Sequence, residues 1–232
     1  MAAIALIPSA PVLVPELAGT AAAEVARFHS AALAAASTLP NRWIAIGTGQ
    51  TDQIFEPATR GTFAGYGVDV PVTLSADAPQ AITDLPLCAL IAGWLRGQAN
   101  AAARVQVRVY AADHDADAAL DRGRALRAAI DEAADEIGVL VVADGATTLT
   151  QGAPGGYDPD SEPMQTALDD ALATGNAAAL TRLPNGIIGR VAYQVLAGLT
   201  GPNPHGANEA NELERGAPYG VGYFVGTWTP GG

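Results

Sequence analysis

Short unbroken apolar runs alternate along this chain with longer stretches in which apolar positions recur every three or four residues. The first kind reads as buried strand, the second as a helix with one face turned inward. Residues 2–7 are wholly apolar, the pattern of a strand covered on both faces. A Pro-rich loop over 8–15 follows. The spacing predicts an Ala-rich helix over 20–37, with Thr20 as its N-cap and Val25, Phe28 and Ala32 on one stripe. Residues 43–46 predict a second buried strand, closed by Gly47, Thr48 and Gly49. Residues 50–80 show little periodicity and read as irregular, with short strands near Phe63 and over 70–74.

Further along, Leu87, Leu90, Ile91, Trp94 and Leu95 repeat at helical spacing within 85–98. Residues 105–110 alternate as a strand does. A helix over 117–136 would turn Leu120, Leu126, Ile130 and Ala134 inward and end at Gly138. Residues 139–143 are the most strand-like run in the chain, and helices follow over 163–173 and 189–199. A final strand over 220–228 places Val221, Tyr223 and Val225 on one face, Phe224 and Trp228 on the other. Strands alternating with helices predict an α/β fold of three layers, with a mainly parallel central sheet and helices on both faces. No linker-like composition divides the chain, so a single domain over 1–232 is expected. The Gly- and Pro-rich stretch 145–160 fits a functional loop better than a boundary.

Composition narrows the choice of partners. Twelve basic residues against 24 acidic ones give a net charge of −12. Such a surface repels phosphate backbones, so nucleic acid is not an expected partner. Cys88 is the one cysteine, in an apolar stretch, and is expected to be a buried, inert thiol. Residues 1–7 lack a basic leader and stop at Pro8, which reads as a strand and not as a signal peptide. No apolar run approaches the roughly 18 residues of a membrane span, so no membrane is expected and the cytoplasm follows by default.

Three loops each leave the end of a buried strand: residues 8–11, 47–50 and 144–148. In a parallel sheet the carboxyl ends point one way, and ligands bind in the crevice there. Gly47 to Gln50 is Gly-rich, and its backbone N–H groups could hold an anion, but it lacks the Lys of a nucleotide-binding P-loop. Ser9 has no histidine near it in sequence to make it a nucleophile. Asp144 can cap the following turn or orient a polar ligand, and the sequence favours neither. Tyr157 is either a surface aromatic or part of a loop over the crevice. His114, between Asp113 and Asp115, reads as a solvated turn. His205 lies in a loop that leads to Glu209, Glu212 and Glu214.

The segment Ile7-Pro8-Ser9-Ala10-Pro11-Val12-Leu13-Val14-Pro15-Glu16 resembles the opening motif of the class III extradiol dioxygenase B family, shared with the Memo-like proteins. That motif runs strand, Pro, His, Pro-Pro, a short aliphatic run and Val-Pro-Glu. The strand before Asp144-Gly145 resembles the family's later strand and Asp-containing loop. The run from Ala217 to Trp228 is similar to the ending of an actinobacterial branch. The resemblance implies an Fe(II) site of two histidines and a glutamate, with a further histidine as acid–base catalyst. Here the first ligand histidine falls at Ser9 or Ala10, the second within Gly47 to Gln50, and the acid–base histidine near Thr147 or Thr148. Glu212 is the foremost match to the glutamate. Hydroxyls and amides do not replace imidazole on iron, so no metal and no cofactor are expected.

The leading expectation is therefore a degenerate member with a metal-free crevice that binds a small polar or aromatic molecule. Ser9, Thr48, Gln50, Asp144 and Glu212 are the candidate ligand-binding residues, and Asp144 and Thr147 the candidates for any catalysis. Two alternatives stay open: an enzyme with rearranged ligands from His114 or His205, or with no metal at all; and an interaction subunit of a homo-oligomer built on the C-terminal strand.

Overall fold

The computed structural model describes residues 1–201 and 209–230. Its strands are β1 (Ile4–Ile7), β2 (Arg42–Gly49), β3 (Gln53–Phe55), β4 (Arg60–Thr62), β5 (Pro71–Thr73), β6 (Arg104–Ala111), β7 (Gly138–Val142), β8 (Glu209–Gly216) and β9 (Tyr223–Thr229). Its helices are α1 (Pro15–Ala18), α2 (Ala22–Ala36), α3 (Leu87–Ala99), α4 (Ala116–Asp131), α5 (Ser161–Ala173), α6 (Ala177–Leu180) and α7 (Arg190–Thr200). Seven strands form one sheet in the order β3-β6-β2-β7-β1-β9-β8, and β4 pairs with β5 apart from it. The four central strands β6, β2, β7 and β1 run parallel. The flanking strands β3, β9 and β8 are antiparallel to their neighbours.

Parallel strands must be covered on both faces, which is why β1 and β7 have no polar residue. Alternate side chains of β1 enter different cores. Ala5 and Ile7 pack in a cluster with Phe28 of α2 and Ile91 of α3. Ile4 and Leu6 pack in another with Leu126 of α4, Leu168 of α5 and Val195 of α7. Each such large aliphatic side chain contributes about 1.5–3 kcal/mol on burial. Helices α4 and α7 touch backbone to backbone. A Cβ at Gly123 would lie 2.1 Å from the Val195 carbonyl oxygen, and one at Gly198 would lie 2.1 Å from that of Leu120. The faces expected for the last strand are present, with Val225 in the first cluster and Phe224 and Trp228 in the second.

Several boundaries differ from the sequence reading. Strand β2 does not close at Gly47; Gly47, Thr48 and Gly49 continue the ladder opposite Val109, Tyr110 and Ala111. On that side the segment is strand and not loop, while its pairing with β7 ends at Ile46. Thr20 does not cap α2: it lies in a 3₁₀ turn over Gly19–Ala21, and the Ala21 that precedes α2 makes no side-chain cap. Helix α4 stops at Asp131, short of Gly138. Ile137 must enter the core and give its carbonyl to the Ala2 N–H at 2.9 Å, and that pairing overrides the helical composition of the residues before it. Helix α6 and strand β8 were not anticipated. No helix among the described residues is long and apolar enough to cross a membrane.

Candidate functional site

Strands β2, β7 and β1 are adjacent and parallel, so their carboxyl ends share one rim of the sheet. The chain closes over the end of β1 from both sides. The Ala143 N–H still bonds to the Ile7 carbonyl at 3.0 Å, but the next amides turn to another partner. The Gly145 N–H donates to the Gly222 carbonyl and the Gly222 N–H to the Ala146 carbonyl, both at 2.8 Å. On its other side this segment is held by Gly189, whose N–H donates to the Asp144 carbonyl at 2.9 Å.

Asp144 sits in this frame, 8% exposed. The Ser9 N–H donates to its Oδ1 at 2.8 Å, tying the end of β7 to the end of β1. No cationic side chain pairs with it among the described residues. Burial pushes its carboxyl up to about 7, against the Ser9 N–H, which pulls it down. The fully buried Tyr193 donates its hydroxyl to the Ala143 carbonyl at 2.9 Å. Burial first, and the charges of Asp144 and Asp169 next, raise Tyr193; burial and then Asp144 and Tyr219 raise Tyr223. Tyr223 stacks edge-on against Phe28 at 5.6 Å between ring centres.

A second buried polar chain supports the same segment. The Ala146 N–H donates to Gln165 Oε1 at 2.8 Å, and Gln165 Nε2 donates to Asp169 Oδ1 at 2.8 Å. Burial lifts Asp169 to about 6, with Gln165 and Arg215 opposing. Sequence reasoning passed over Gln165, Asp169, Tyr193 and Tyr223. Three of them read as ordinary helix positions or core, and only a polar residue on the inward stripe of α5, at Gln165, offered a signal.

The residues singled out from sequence separate in space. Ser9 and Asp144 are directly bonded. Thr48 is half-buried one strand away, with Cys88 Sγ 3.9 Å from its carbonyl oxygen. The thiol itself is buried and pushed up to about 12 by that burial, as expected of an inert cysteine. Gln50 is exposed beyond the end of β2. Thr147 belongs to a loop folded back on itself, its carbonyl accepting the Gly155 N–H at 3.0 Å, while Thr148 pairs with the Ser161 hydroxyl at 2.6 Å. Tyr157 is exposed on the same loop. Glu212 lies on β8 opposite Gly226 and pairs with Arg215 at 3.4 Å; Glu214 faces Arg27 at 3.6 Å. The foremost glutamate therefore sits in an ion cluster on the last strand of the sheet, beside Asp170 and Arg215.

The two described histidines, His29 and His114, are each held by another partner. His29 bonds to the Leu13 carbonyl at 2.9 Å and packs against Trp94. His114 pairs with Asp52 Oδ1 at 2.7 Å, so it is held by a partner and is not simply a solvated turn. Asp115 beside it caps α4 through the Ala118 N–H at 2.8 Å. His205 lies outside the described residues. Among the described residues no cluster of three metal-ligating side chains forms. The donors around Asp144 are amides and hydroxyls, which do not fit the Fe(II) that the extradiol resemblance implies.

No family model matches the chain, and no curated protein does. Among solved structures it is similar to uncharacterized protein JW3007 from Escherichia coli K12, at 10% identity and a TM-score of 0.58, over 99% of this chain and 100% of that one. At that identity the likeness shows the fold: helices around a mostly parallel central sheet.

Proposed function

We propose that this protein is a three-layer α/β, extradiol-dioxygenase-like chain that binds a small polar or aromatic ligand without a transition metal. The ligand sits at the carboxyl ends of β1, β2 and β7 and meets the Asp144 carboxyl. The observation that carries this reading is Asp144 itself. A buried carboxylate with no cation is costly, and an asparagine would accept the Ser9 N–H equally well without that cost. Carboxyls held in this way concentrate where a ligand is handled. With its proton Asp144 donates a hydrogen bond, and without it accepts one, so near neutral pH it suits a phenol, a catechol or a carboxylic acid. The opening and closing motifs support the family reading, and the replacement of the expected histidines supports its metal-free form.

The test is a panel of phenol, catechol and short carboxylic acids, followed by amide NMR shifts at Ser9 and Asp144. The protein is prepared without chelators and its metals are measured. Saturable shifts at these two amides, lost in Asp144→Ala, are expected, with no stoichiometric iron or zinc. Protein loaded anaerobically with Fe(II) and then given catechol and air should yield no ring-cleavage product. Near-stoichiometric iron or zinc lost on replacing His114 or His205 would overturn the metal-free reading. A panel that leaves the Ser9 and Asp144 amides unmoved would overturn the binding reading.

A further inference from the structure

A concave site lies between β3, β6 and α4, away from Asp144, with a volume of about 290 Å³. Arg108, Tyr110, Arg122, Asp52, Ile54 and Ala125 are among the residues that line it. Alternation along β6 sends Val107 and Val109 into one core and turns Arg108 and Tyr110 to the other face. Antiparallel pairing sets Ile54 of β3 directly opposite Arg108, on that same face.

The charges here are unequally matched. Arg122 pairs with Asp52 Oδ2 at 3.0 Å. The other oxygen of Asp52 accepts the Ala111 N–H at 2.8 Å and pairs with His114 at 2.7 Å, so this carboxylate is fully engaged. Arg108 has neutral partners: its Nε donates to Gln106 Oε1 at 3.1 Å, and the Tyr110 hydroxyl lies within its reach. Glu56, the acidic residue next along, is taken by the Gln106 amide at 3.0 and 3.2 Å. No carboxylate among the described residues forms an ion pair with Arg108. Two guanidiniums thus face one committed carboxylate, in a chain whose net charge is −12.

We propose that this cavity binds a small organic carboxylate, held by the Arg108 guanidinium with Tyr110 and Arg122 beside it. The planar fork of an arginine matches a carboxylate with two parallel hydrogen bonds. Ile54, 57% exposed on its short strand, and Ala125 supply an apolar wall for the hydrocarbon part of the ligand. A single excess positive charge and an apolar wall suit a monocarboxylate better than inorganic phosphate.

Benzoate, acetate, inorganic phosphate and chloride at matched ionic strength are the probes, titrated into the whole chain by calorimetry and amide NMR. Benzoate is expected to bind saturably, with shifts at Ile54, Arg108 and Tyr110. Arg108→Gln should weaken it at least about tenfold, the loss of one charge-assisted pair. Arg108→Lys should fall between, because a point charge lacks the fork. Ile54→Ser should weaken benzoate more than acetate. Any shift that benzoate causes at the Ser9 amide should survive Arg108→Gln, which separates this site from the Asp144 carboxyl. Benzoate no better than chloride, equal binding of phosphate, or shifts at Ile54 and Tyr110 undiminished in Arg108→Gln would each overturn the assignment.

Discussion

Asp144 and Asp52 both stand a few residues past the carboxyl end of a parallel strand, and their environments push them in opposite directions. Burial lifts Asp144 to about 7, with one backbone N–H in opposition. Burial also pushes Asp52 up, but the Ala111 N–H, the His114 ring and Arg122 together outweigh it and hold it below 3.8. Position at the end of a strand therefore does not decide what a carboxyl can do. What matters is whether the elements packed around it bring a cation. Around Asp144 they bring tyrosines and a glycine; around Asp52 they bring arginine and histidine. The first carboxyl is left able to exchange a proton near neutral pH, and the second is fixed as a structural anion.

The contrast makes its largest prediction at Asp144. A raised carboxyl holds its proton in the folded state between pH 3.8 and about 7 while the unfolded chain has lost it. Stability from this group is therefore greatest below 3.8 and falls as pH rises through 7. Asp144→Asn keeps an acceptor for Ser9 and removes the proton. Urea unfolding should show it more stable than the parent at pH 8 by on the order of 2–4 kcal/mol, with no such gain at pH 4. An equal change at both pH values would remove the contrast with Asp52. Asp169, lifted to about 6, adds a slope of the same sign that remains in the Asp144→Asn protein.

Next in size is Gln165→Leu, which strips the Ala146 N–H of its acceptor and Asp169 of its donor. A buried amide left without a partner costs about 1–3 kcal/mol, and chemical denaturation should show a loss of that order. A smaller loss is expected from Asp52→Asn, within about 1 kcal/mol, because its ion pairs are solvent-screened. Its sign is opposite to that of Asp144: the contribution is present above 3.8 and disappears as pH falls through the lower folded value. Parent and Asp52→Asn curves should converge in acid and part at neutral pH. Smallest of all is the effect of a chelator. Exhaustive dialysis against EDTA should leave the thermal midpoint unchanged.

The periodic parts of the chain were readable because burial on one face or two imposes a period, and β1, β2, β7 and β9 all announce themselves in this way. Strand direction predicted that residues 8–11, 47–50 and 144–148 leave one rim; β1 and β7 end there as parallel neighbours, whereas 47–49 prolong β2 beside β6. Strand β8 was hidden because Glu209, Glu212, Glu214 and Arg215 look like loop, and their strand exists through pairing with β9. The extension of β2 through two glycines was hidden for the same reason, since only β6 beside it makes Gly47 to Gly49 a strand. At the candidate site, Asp144 stood out by following an apolar run. Its bond to Ser9 spans 135 residues, and no local pattern encodes a contact of that separation. Nor does the sequence say that Gln165 and Asp169 meet the same loop from a helix, or that Asp52 reaches His114.

The state of the Asp144 carboxyl decides whether it can handle a ligand's proton, and carbon-13 NMR of aspartate side chains titrated from pH 3 to 9 reads it. One resonance, absent from the Asp144→Asn protein, should titrate near 7, and adding a ligand from the panel should move its midpoint. If the Asp144 resonance titrates at the ordinary value of 3.8, with or without ligand, Asp144 is an anion throughout the neutral range and does not exchange a proton with a ligand.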